Sequence, residues 1–206
     1  MVETGSTNAD LVFGAGVGAG DSAGAGDLPD GSVLVTDHQT AGRGRLDRRW
    51  DAPPGANLLF SVLLRPTWDP DRHPLATSTL AVATVEALGT LGVQAAVKWP
   101  NDVLLVGGTA PGKVAGILAE LVGGGPASGP VAIVVGMGVN VGWPAVSDAA
   151  PPGATSLAAA GHTIDRADLL RSVLIRFDAR LTDLEAVDGL ERLRRAHLDR
   201  SATVGV

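Results

Sequence analysis

The chain has 206 residues, of which 45% are hydrophobic and 18% are charged, with a formal net charge of −6. This length suits one domain with a small appendage, and the acidic balance argues against nonspecific nucleic-acid binding by the bulk surface. The absence of cysteine excludes disulfides, thiolate metal sites and a cysteine nucleophile. No apolar run reaches membrane-spanning length and no secretory signal is evident, so we expect a cytoplasmic protein without a membrane partner.

The order of the predicted elements indicates the fold class. Apolar runs bounded by Gly and Pro predict strands, and apolar residues at three- and four-residue spacing predict helices. In chain order we expect a helix beginning near Ser6, strands over 32–36 and 57–64, a helix over 74–91, strands over 93–98, 103–106, 113–122 and 131–141, and helices over 169–184 and 190–198. Strands joined by hairpin turns, with helices grouped between and after them, predict an α+β fold with a mixed, largely antiparallel central sheet flanked by helices. The Gly- and Ala-rich stretch 14–26 predicts a poor helix or a flexible insert.

Four arginines lie within seven residues in the stretch Gly42-Arg43-Gly44-Arg45-Leu46-Asp47-Arg48-Arg49-Trp50, which we call the arginine loop. Glycine lets a backbone move and approach a ligand closely, and guanidinium groups suit carboxylates and phosphates. The loop therefore predicts a mobile lid for an anionic small molecule. A solvated basic turn is the alternative that these residues alone leave open.

Two stretches of the sequence almost match nucleotide-binding motifs but depart from them. The stretch 107–114 approaches a P-loop, but Val114 stands where Ser or Thr would hold Mg²⁺, and a strand pattern follows it. The stretch 42–47 approaches the dinucleotide fingerprint, but Asp47 replaces the third glycine. The four histidines show no metal-ligand spacing, so we expect no metal site formed by the protein alone.

Five ordered motifs carry a family resemblance. They are Thr4-Gly5-Ser6-Thr7-Asn8, Gln39-Thr40-Ala41 followed by the arginine loop, Lys98-Trp99-Pro100-Asn101-Asp102, Lys113-Val114-Ala115-Gly116-Ile117-Leu118-Ala119-Glu120, and Gly136-Met137-Gly138-Val139-Asn140-Val141. In this order and spacing, the chain resembles the catalytic domain of biotin–protein ligases over nearly its whole length. The resemblance implies an ATP-dependent ligase that uses Mg²⁺ and forms biotinyl-5′-AMP from biotin and ATP. It also implies transfer of biotin to a lysine of the biotin carboxyl carrier protein domain of a carboxylase.

The resemblance further implies roles for individual residues. The biotin carboxylate and the ATP α-phosphate repel each other, so cations must converge between them. The implied biotin-binding residues are Ser6, Thr7, Gln39, Gly42, Arg43, Lys113 and Gly116. The implied nucleotide-binding residues are Arg43, Arg45, Trp50 and Asn140, with adenine as the partner of the Asn140 amide and as a stacking partner of Trp50. The implied catalytic residues are Lys113, Arg45 and Asp102, with Asp102 near Mg²⁺ or the incoming lysine amine.

Structural alternatives stay open for several of these residues. A helix cap accounts equally for Ser6 and Thr7, and an Asx turn accounts for Asp102. Core packing competes with stacking at Trp50, and a solvent-facing position competes with a catalytic role at Lys113.

The chain departs from the family pattern in two respects. Asp47 stands where the arginine loop usually has Gly, which lowers the expected flexibility and charge, and it is a candidate partner for Arg43 or Arg49. We expect a catalytic domain over 1–199, with 200–206 as the start of a truncated C-terminal domain, and no helix-turn-helix for DNA binding. Two other functions stay open: a lipoate or octanoyl ligase or transferase of the same fold, and a non-catalytic biotin-binding remnant.

Overall fold

The computed structural model describes residues 1–15, 28–123, 131–145 and 150–203, so nearly all of the insert predicted over 14–26 lies outside the described residues. The strands are β1 (Glu3–Thr4), β2 (Val33–Thr36), β3 (His38–Gln39), β4 (Leu58–Leu64), β5 (Ala95–Lys98), β6 (Asp102–Leu105), β7 (Gly112–Val122) and β8 (Ala132–Val139). The α-helices are α1 (Thr7–Gly14), α2 (Leu75–Thr90), α3 (Arg166–Glu185) and α4 (Gly189–Leu198). None of these helices is both long enough and apolar enough to cross a membrane.

Six strands form one antiparallel sheet in the order β2-β4-β8-β7-β6-β5, and β1 and β3 form a small parallel pair. Every residue of β4 and β8 is buried, which explains why these two central strands read as unbroken apolar runs. The prediction of an α+β fold with a mixed, largely antiparallel sheet is therefore confirmed.

The sheet buries a different set of side chains on each face, because successive residues of a strand point to opposite sides. On one face, the paired residues Val62 and Val135 belong to a large core that includes α2 and α3. On the other face, Leu63 and Val134 pack with Leu11 of α1. We call the second side the α1 face.

Two predicted boundaries need correction, and both concern candidate site residues. Asp102 was expected in the turn after Lys98, but it is the first residue of β6 and pairs with Lys98 across the hairpin. Asn140 was expected on the last central strand, but β8 ends at Val139. The backbone carbonyl of Asn140 accepts instead from Leu157 N–H at 3.0 Å, outside the sheet.

The C-terminal segment lies along the edge strand β5. Val97 N–H donates to Arg200 O at 2.7 Å, and Ala202 N–H donates to Val97 O at 2.8 Å. These bonds make a single parallel bridge between Val97 and Ser201. The predicted domain boundary at 199–200 stays a prediction.

Candidate functional site

A cavity of about 380 Å³ opens on the α1 face of the sheet. Its floor is a strip of small residues that includes Gly136 of β8 and the pair of Gly116 and Gly138 across β7 and β8. A Cβ at Gly136 would overlap the Asn8 side chain, and a Cβ at Gly138 would overlap the Trp50 indole. The glycines are therefore required because side chains from outside the sheet lie directly on its backbone.

The cavity brings together nearly all the side chains and backbone positions predicted from the sequence. Its lining includes Ser6, Thr7, Gln39, Arg43, Arg45, Trp50, Asp102, Lys113, Gly116 and Asn140. Gly42 does not line the cavity, and a Cβ at this first residue of the arginine loop would overlap the Trp50 carbonyl oxygen. Residues up to 134 positions apart in the chain, from Ser6 to Asn140, thus meet on one face of the sheet.

One end of the cavity is formed by buried neutral polar groups at the start of α1. Ser6 caps this helix by accepting from Ala9 N–H at 3.5 Å, so the predicted cap is present. Thr7 N–H donates to Gln39 Oε1 at 2.9 Å. Thr7 Oγ1 lies 3.1 Å from the same oxygen and 2.7 Å from Ser61 Oγ. A helix cap and a polar residue that lines the cavity therefore coexist in consecutive positions.

Three further residues extend this polar end, and the sequence analysis assigned no role to them. Ser61 Oγ donates to Asn8 Oδ1 at 2.6 Å, and Asn8 Nδ2 donates to Glu120 Oε2 at 2.8 Å. Ser61 and Asn8 are almost completely buried. A lone hydroxyl inside the apolar run 57–64 was the available signal for Ser61, since buried polar groups need partners.

The other part of the cavity carries a lysine. Lys113 Nζ lies 2.7 Å from Asp102 Oδ1, and it lies 5.5 Å from the centroid of the Trp50 ring. Lys113, the second residue of β7, is therefore a half-buried cation that is paired with a carboxylate beside an aromatic face, and its ammonium is not free in solvent. Asp102, in turn, acts as the counter-ion of Lys113.

The position of Trp50 is compatible with both interpretations that the sequence left open, namely packing in the core and stacking against a ligand. Its ring packs on the backbone of Gly116, whose Cβ position lies 2.8 Å from Trp50 Cζ3, and its indole also borders the cavity. Trp50 Nε1 is buried and has no hydrogen-bond partner among the described residues. Stacking of Trp50 on adenine stays a prediction.

The arginine loop is more ordered than its composition predicts. Gly44 N–H donates to Arg48 O at 2.7 Å, and Trp50 N–H donates to Gly42 O at 3.0 Å, which closes the loop on itself. Leu46 and Asp47 at its tip have φ values of 57° and 56°. The left-handed backbone at Asp47 explains why glycine suits this position.

The arginines of the loop have partners that the sequence analysis did not predict. Arg43 pairs with Glu120 at 2.8 Å, Arg49 pairs with Asp51 at 3.0 Å, and Arg45 donates to Asn101 Oδ1 at 3.3 Å. Asp47 forms no ion pair with any described residue, so its expected pairing with Arg43 or Arg49 is wrong. The reason is geometric, because its left-handed backbone lies at the exposed tip while both arginines reach fixed carboxylates elsewhere.

Asn140 already has hydrogen-bond partners within the protein. Asn57 Nδ2 donates to Asn140 Oδ1 at 3.1 Å, and Asn140 Nδ2 donates to Thr155 O at 2.9 Å. The need for a partner that suggested adenine is thus met internally. A contact with adenine stays a prediction that would use the second N–H or lone pair of the amide.

The described residues contain no cluster of three or more His, Cys, Asp or Glu side chains that could hold a metal ion. Asp102 offers one carboxylate, already bonded to Lys113. This donor set fits a cation that arrives with phosphates and water, as Mg²⁺ usually does, better than an ion held by the protein alone.

Comparison with known proteins places the chain in a family. The family model for the biotin/lipoate A/B protein ligase family matches residues 21–140, more than half of the chain. The chain is 35% identical over its full length to the biotin--[acetyl-CoA-carboxylase] ligase of Mycobacterium tuberculosis, covering 71% of that protein. It is 38% identical to the bifunctional ligase/repressor BirA of Bacillus subtilis over 75% of this chain, and this match spans only 47%, about half, of the relative's length.

The fold agrees with the same family. The biotin protein ligase of Aquifex aeolicus, solved in complex with biotin and ATP, superposes with a TM-score of 0.75 at 26% sequence identity. The match covers 98% of this chain and 77% of the Aquifex chain. The chain belongs to the biotin/lipoate A/B protein ligase family, and its fold is that of the biotin protein ligases.

Proposed function

We propose that this protein is a cytoplasmic, ATP-dependent biotin–protein ligase. It joins biotin and ATP to form biotinyl-5′-AMP with release of pyrophosphate. It then transfers biotin to a lysine of a biotin carboxyl carrier protein domain. The observation that carries the proposal is that one cavity combines a buried neutral polar end, at Thr7 and Gln39, with a lysine and arginines.

The two parts of the cavity suit the two parts of biotin. A neutral ureido head can bond to the hydroxyls and amide at the start of α1, and the apolar ring can lie on the small-residue floor. The carboxylate must meet the ATP α-phosphate, and Lys113, Arg43 and Arg45 supply the positive charge that this encounter needs. Preorganised cations of this kind lower the barrier because they do not have to reorganise as charge shifts.

The transfer step needs no nucleophile from the enzyme. The acceptor lysine amine attacks the carbonyl carbon of the mixed anhydride, the new amide C–N bond forms, and AMP leaves with the electrons of the broken C–O bond. Asp102 is the carboxylate closest to Lys113 and can orient the amine or receive its proton. Mg²⁺ would arrive bound to the ATP phosphates and offset their charge.

The relatives support this choice of substrates. The Mycobacterium tuberculosis protein is named as a ligase acting on acetyl-CoA carboxylase, and the Aquifex structure contains biotin and ATP. The family model itself covers both biotin and lipoate enzymes. The experiment must therefore determine whether biotin or lipoate is the substrate.

The test is release of pyrophosphate from ATP and Mg²⁺ with biotin, with lipoate, or with neither acid. We expect release only with biotin, followed by transfer of the label from radioactive biotin to a purified carrier domain. Release with lipoate alone would reassign the substrate. Biotin binding without pyrophosphate release would make the protein a non-catalytic binder.

A further inference from the structure

A chain of hydrogen bonds runs from the cavity into the protein behind it. It joins Thr7 Oγ1 to Ser61 Oγ at 2.7 Å, Ser61 Oγ to Asn8 Oδ1 at 2.6 Å, and Asn8 Nδ2 to Glu120 Oε2 at 2.8 Å. We call these four residues the polar relay. Thr7, Ser61 and Asn8 are each less than 5% exposed, so bulk water does not compete for their hydrogen bonds.

The far end of the polar relay determines how the Asn8 amide is oriented. Asn8 Nδ2 faces two groups that can only accept, the Leu118 carbonyl at 3.1 Å and the Glu120 carboxylate at 2.8 Å. Glu120 is held in turn by Arg43 at 2.8 Å. The amide nitrogen must therefore point toward Glu120, and the amide oxygen must point toward Ser61.

The number of hydrogens on the two hydroxyls then determines which of them donates in the contact between Ser61 and Thr7. Each hydroxyl has one hydrogen, and Ser61 gives its hydrogen to Asn8 Oδ1. The contact between Ser61 and Thr7 consequently needs the hydrogen of Thr7. The only other acceptor near that hydrogen among the described residues is Gln39 Oε1 at 3.1 Å, which already accepts from Thr7 N–H. With either acceptor, Thr7 has no hydrogen left for a ligand.

We propose that Ser61 and Asn8, anchored on Glu120, are positioning residues that determine ligand specificity by making the Thr7 hydroxyl an acceptor toward the cavity. This inference rests on the proposed function, because biotin presents ureido N–H groups at that end. A ligand head with an N–H gains a hydrogen bond to Thr7 Oγ1. The lone pairs of a head that has no N–H are instead repelled by the lone pair of Thr7 Oγ1. The dithiolane ring of lipoate has no N–H, so the polar relay selects against it.

The polar relay also strengthens the selected bond. Each member polarises the next in a buried chain, so Thr7 Oγ1 is a better acceptor than an isolated hydroxyl. Sites built to bond a specific donor reject analogues that lack it strongly, because a buried polar group is then left unpaired. The expected signature is a change in ligand preference, with little change in the rate of chemistry.

The experiment uses the whole protein and isothermal titration with biotin and with its two cyclic carbamate analogues. In each analogue one of the two ureido N–H groups is replaced by oxygen. We expect the wild-type protein to bind one carbamate at least about 100-fold more weakly than biotin. In Ser61→Ala the carbamate ratio, which is the Kd for that carbamate divided by the Kd for biotin, falls at least about fivefold. The Thr7 hydrogen then has only the longer contact to Gln39 Oε1, an oxygen that already accepts from Thr7 N–H, so it can turn toward the carbamate oxygen instead. The kcat of adenylate formation at saturating biotin stays near the wild-type value.

The matched control is Thr79→Ala, which removes another fully buried hydroxyl. Thr79 lies in α2, its hydroxyl donates to Leu75 O, and it does not line the cavity. This variant tests general destabilisation, and its carbamate ratio should equal that of the wild type. If Ser61→Ala does not fold, Asn8→Ala removes the acceptor of the Ser61 hydrogen, which Ser61 can then give to Thr7 Oγ1, and this variant should also lower the ratio.

The possible outcomes are distinct. An unchanged carbamate ratio in a folded Ser61→Ala or Asn8→Ala protein that binds biotin overturns the polar relay and leaves the proposed function intact. A ratio that changes equally in Thr79→Ala also overturns it, since a purely structural effect then suffices. A wild-type protein that binds no biotin overturns the proposed function, and the inference with it.

Discussion

At the residue scale, Lys113 shows how neighbouring side chains hold one charged group in a fixed position. It is one of only two lysines in the chain and the only one that lines the cavity. Asp102 holds its ammonium group at 2.7 Å, and Trp50 covers one side of it. The ammonium is thus fixed before any substrate arrives, which is the condition for electrostatic catalysis without reorganisation.

The first prediction is that Lys113→Ala lowers the rate of adenylate formation at least about 100-fold, the scale seen for losing one preorganised donor. Biotin affinity should fall much less, because the ureido head keeps its partners at Thr7 and Gln39. Pyrophosphate release and isothermal titration with biotin measure the two effects. Arg171→Ala is the control, since it breaks an exposed ion pair of 3.0 Å on α3, outside the cavity. Near-normal adenylation in Lys113→Ala would remove Lys113 from the mechanism.

The second prediction concerns Arg45, which donates to Asn101 Oδ1 at 3.3 Å and borders the cavity. Arg45→Ala should weaken binding of biotinyl-5′-AMP by about 10- to 100-fold, the range for a hydrogen bond to a charged group. Binding of a neutral biotin amide should change much less, because that ligand has no phosphate. Competition titrations with the two ligands provide the comparison. Equal losses for both would make Arg45 part of a structural lid and not an anion clamp.

At the element scale, the arginine loop combines internal order with strain. Its three internal backbone hydrogen bonds and its ion pairs hold it in one conformation, yet Leu46 has a left-handed backbone that L-residues disfavour by about 1–2 kcal/mol. Its exposed ion pairs each contribute at most about 1 kcal/mol. The stabilisation from the ion pairs and the cost of the strained backbone are similar in size. A bound anion that bridges several arginines can therefore determine whether the loop is closed or open.

The third prediction is therefore that ligand slows trypsin cleavage at the arginines of the loop. Biotin with ATP, or biotinyl-5′-AMP, adds charged contacts that keep the loop closed and hide its backbone. Mass spectrometry of timed digests measures cleavage after Arg43, Arg45, Arg48 and Arg49. Cleavage after Arg194 and Arg195 on α4 is the internal control and should not respond to ligand. Loop cleavage that is equally slow with and without ligand would mean a loop already fixed, contrary to a lid.

The fourth prediction concerns α4, which carries the half-buried His197. Burial lowers the pKa of His197 below its usual value of about 6.5. When the pH falls below about 6.5, the unfolded chain takes up a proton that the folded chain resists. The free energy of unfolding therefore falls with pH in that range, while above it both states are neutral at this site. Thermal unfolding between about pH 7.5 and about pH 5.5 should show a steeper loss in the wild type than in His197→Gln. Parallel curves would contradict this prediction.

At the scale of the whole molecule, hydropathy together with turn and capping residues predicted the order of the four α-helices and of the six strands in the large sheet, but it missed the two-residue strands β1 and β3. The central strands β4 and β8 are buried on both faces, so their apolar runs were unambiguous. The turns between β6 and β7 carry glycines with positive φ at Gly107, Gly108 and Gly112, as the hairpin pattern predicted. The motifs also identified most of the cavity lining, because each motif places a small or polar residue on one face of the sheet.

Side-chain partners across the fold were beyond prediction from one sequence. The pairs Arg43–Glu120 and Lys113–Asp102 join residues from different elements, and their formation depends on strand register. The role proposed for Ser61 depends on the contact between β4 and α1 at Asn8, which the sequence does not show. Such contacts depend on three-dimensional packing, whereas hydropathy and turn chemistry are local.

The last prediction concerns Glu86, where α2, α3 and the C-terminal segment converge. The Glu86 side chain is only 11% exposed and forms ion pairs with Arg180 of α3 and, at 3.0 Å, with Arg200. Hydrogen bonding to Glu86 raises the pKa of Arg180, so the guanidinium stays charged at every pH at which the fold can be studied.

Glu86→Gln should lower the free energy of unfolding by about 2 kcal/mol, because two partly buried guanidinium groups lose their shared counter-charge. The matched control is Glu191→Gln, which removes the carboxylate of an exposed pair with Arg194 on α4 and should cause no measurable change. Urea unfolding followed by circular dichroism measures both variants. Because Arg200 lies beside Val97 at the sheet edge, loss of Glu86 should also increase hydrogen exchange at the Ala202 amide. If Glu86→Gln is as stable as Glu191→Gln, helix packing alone holds the C-terminal segment against α2 and α3.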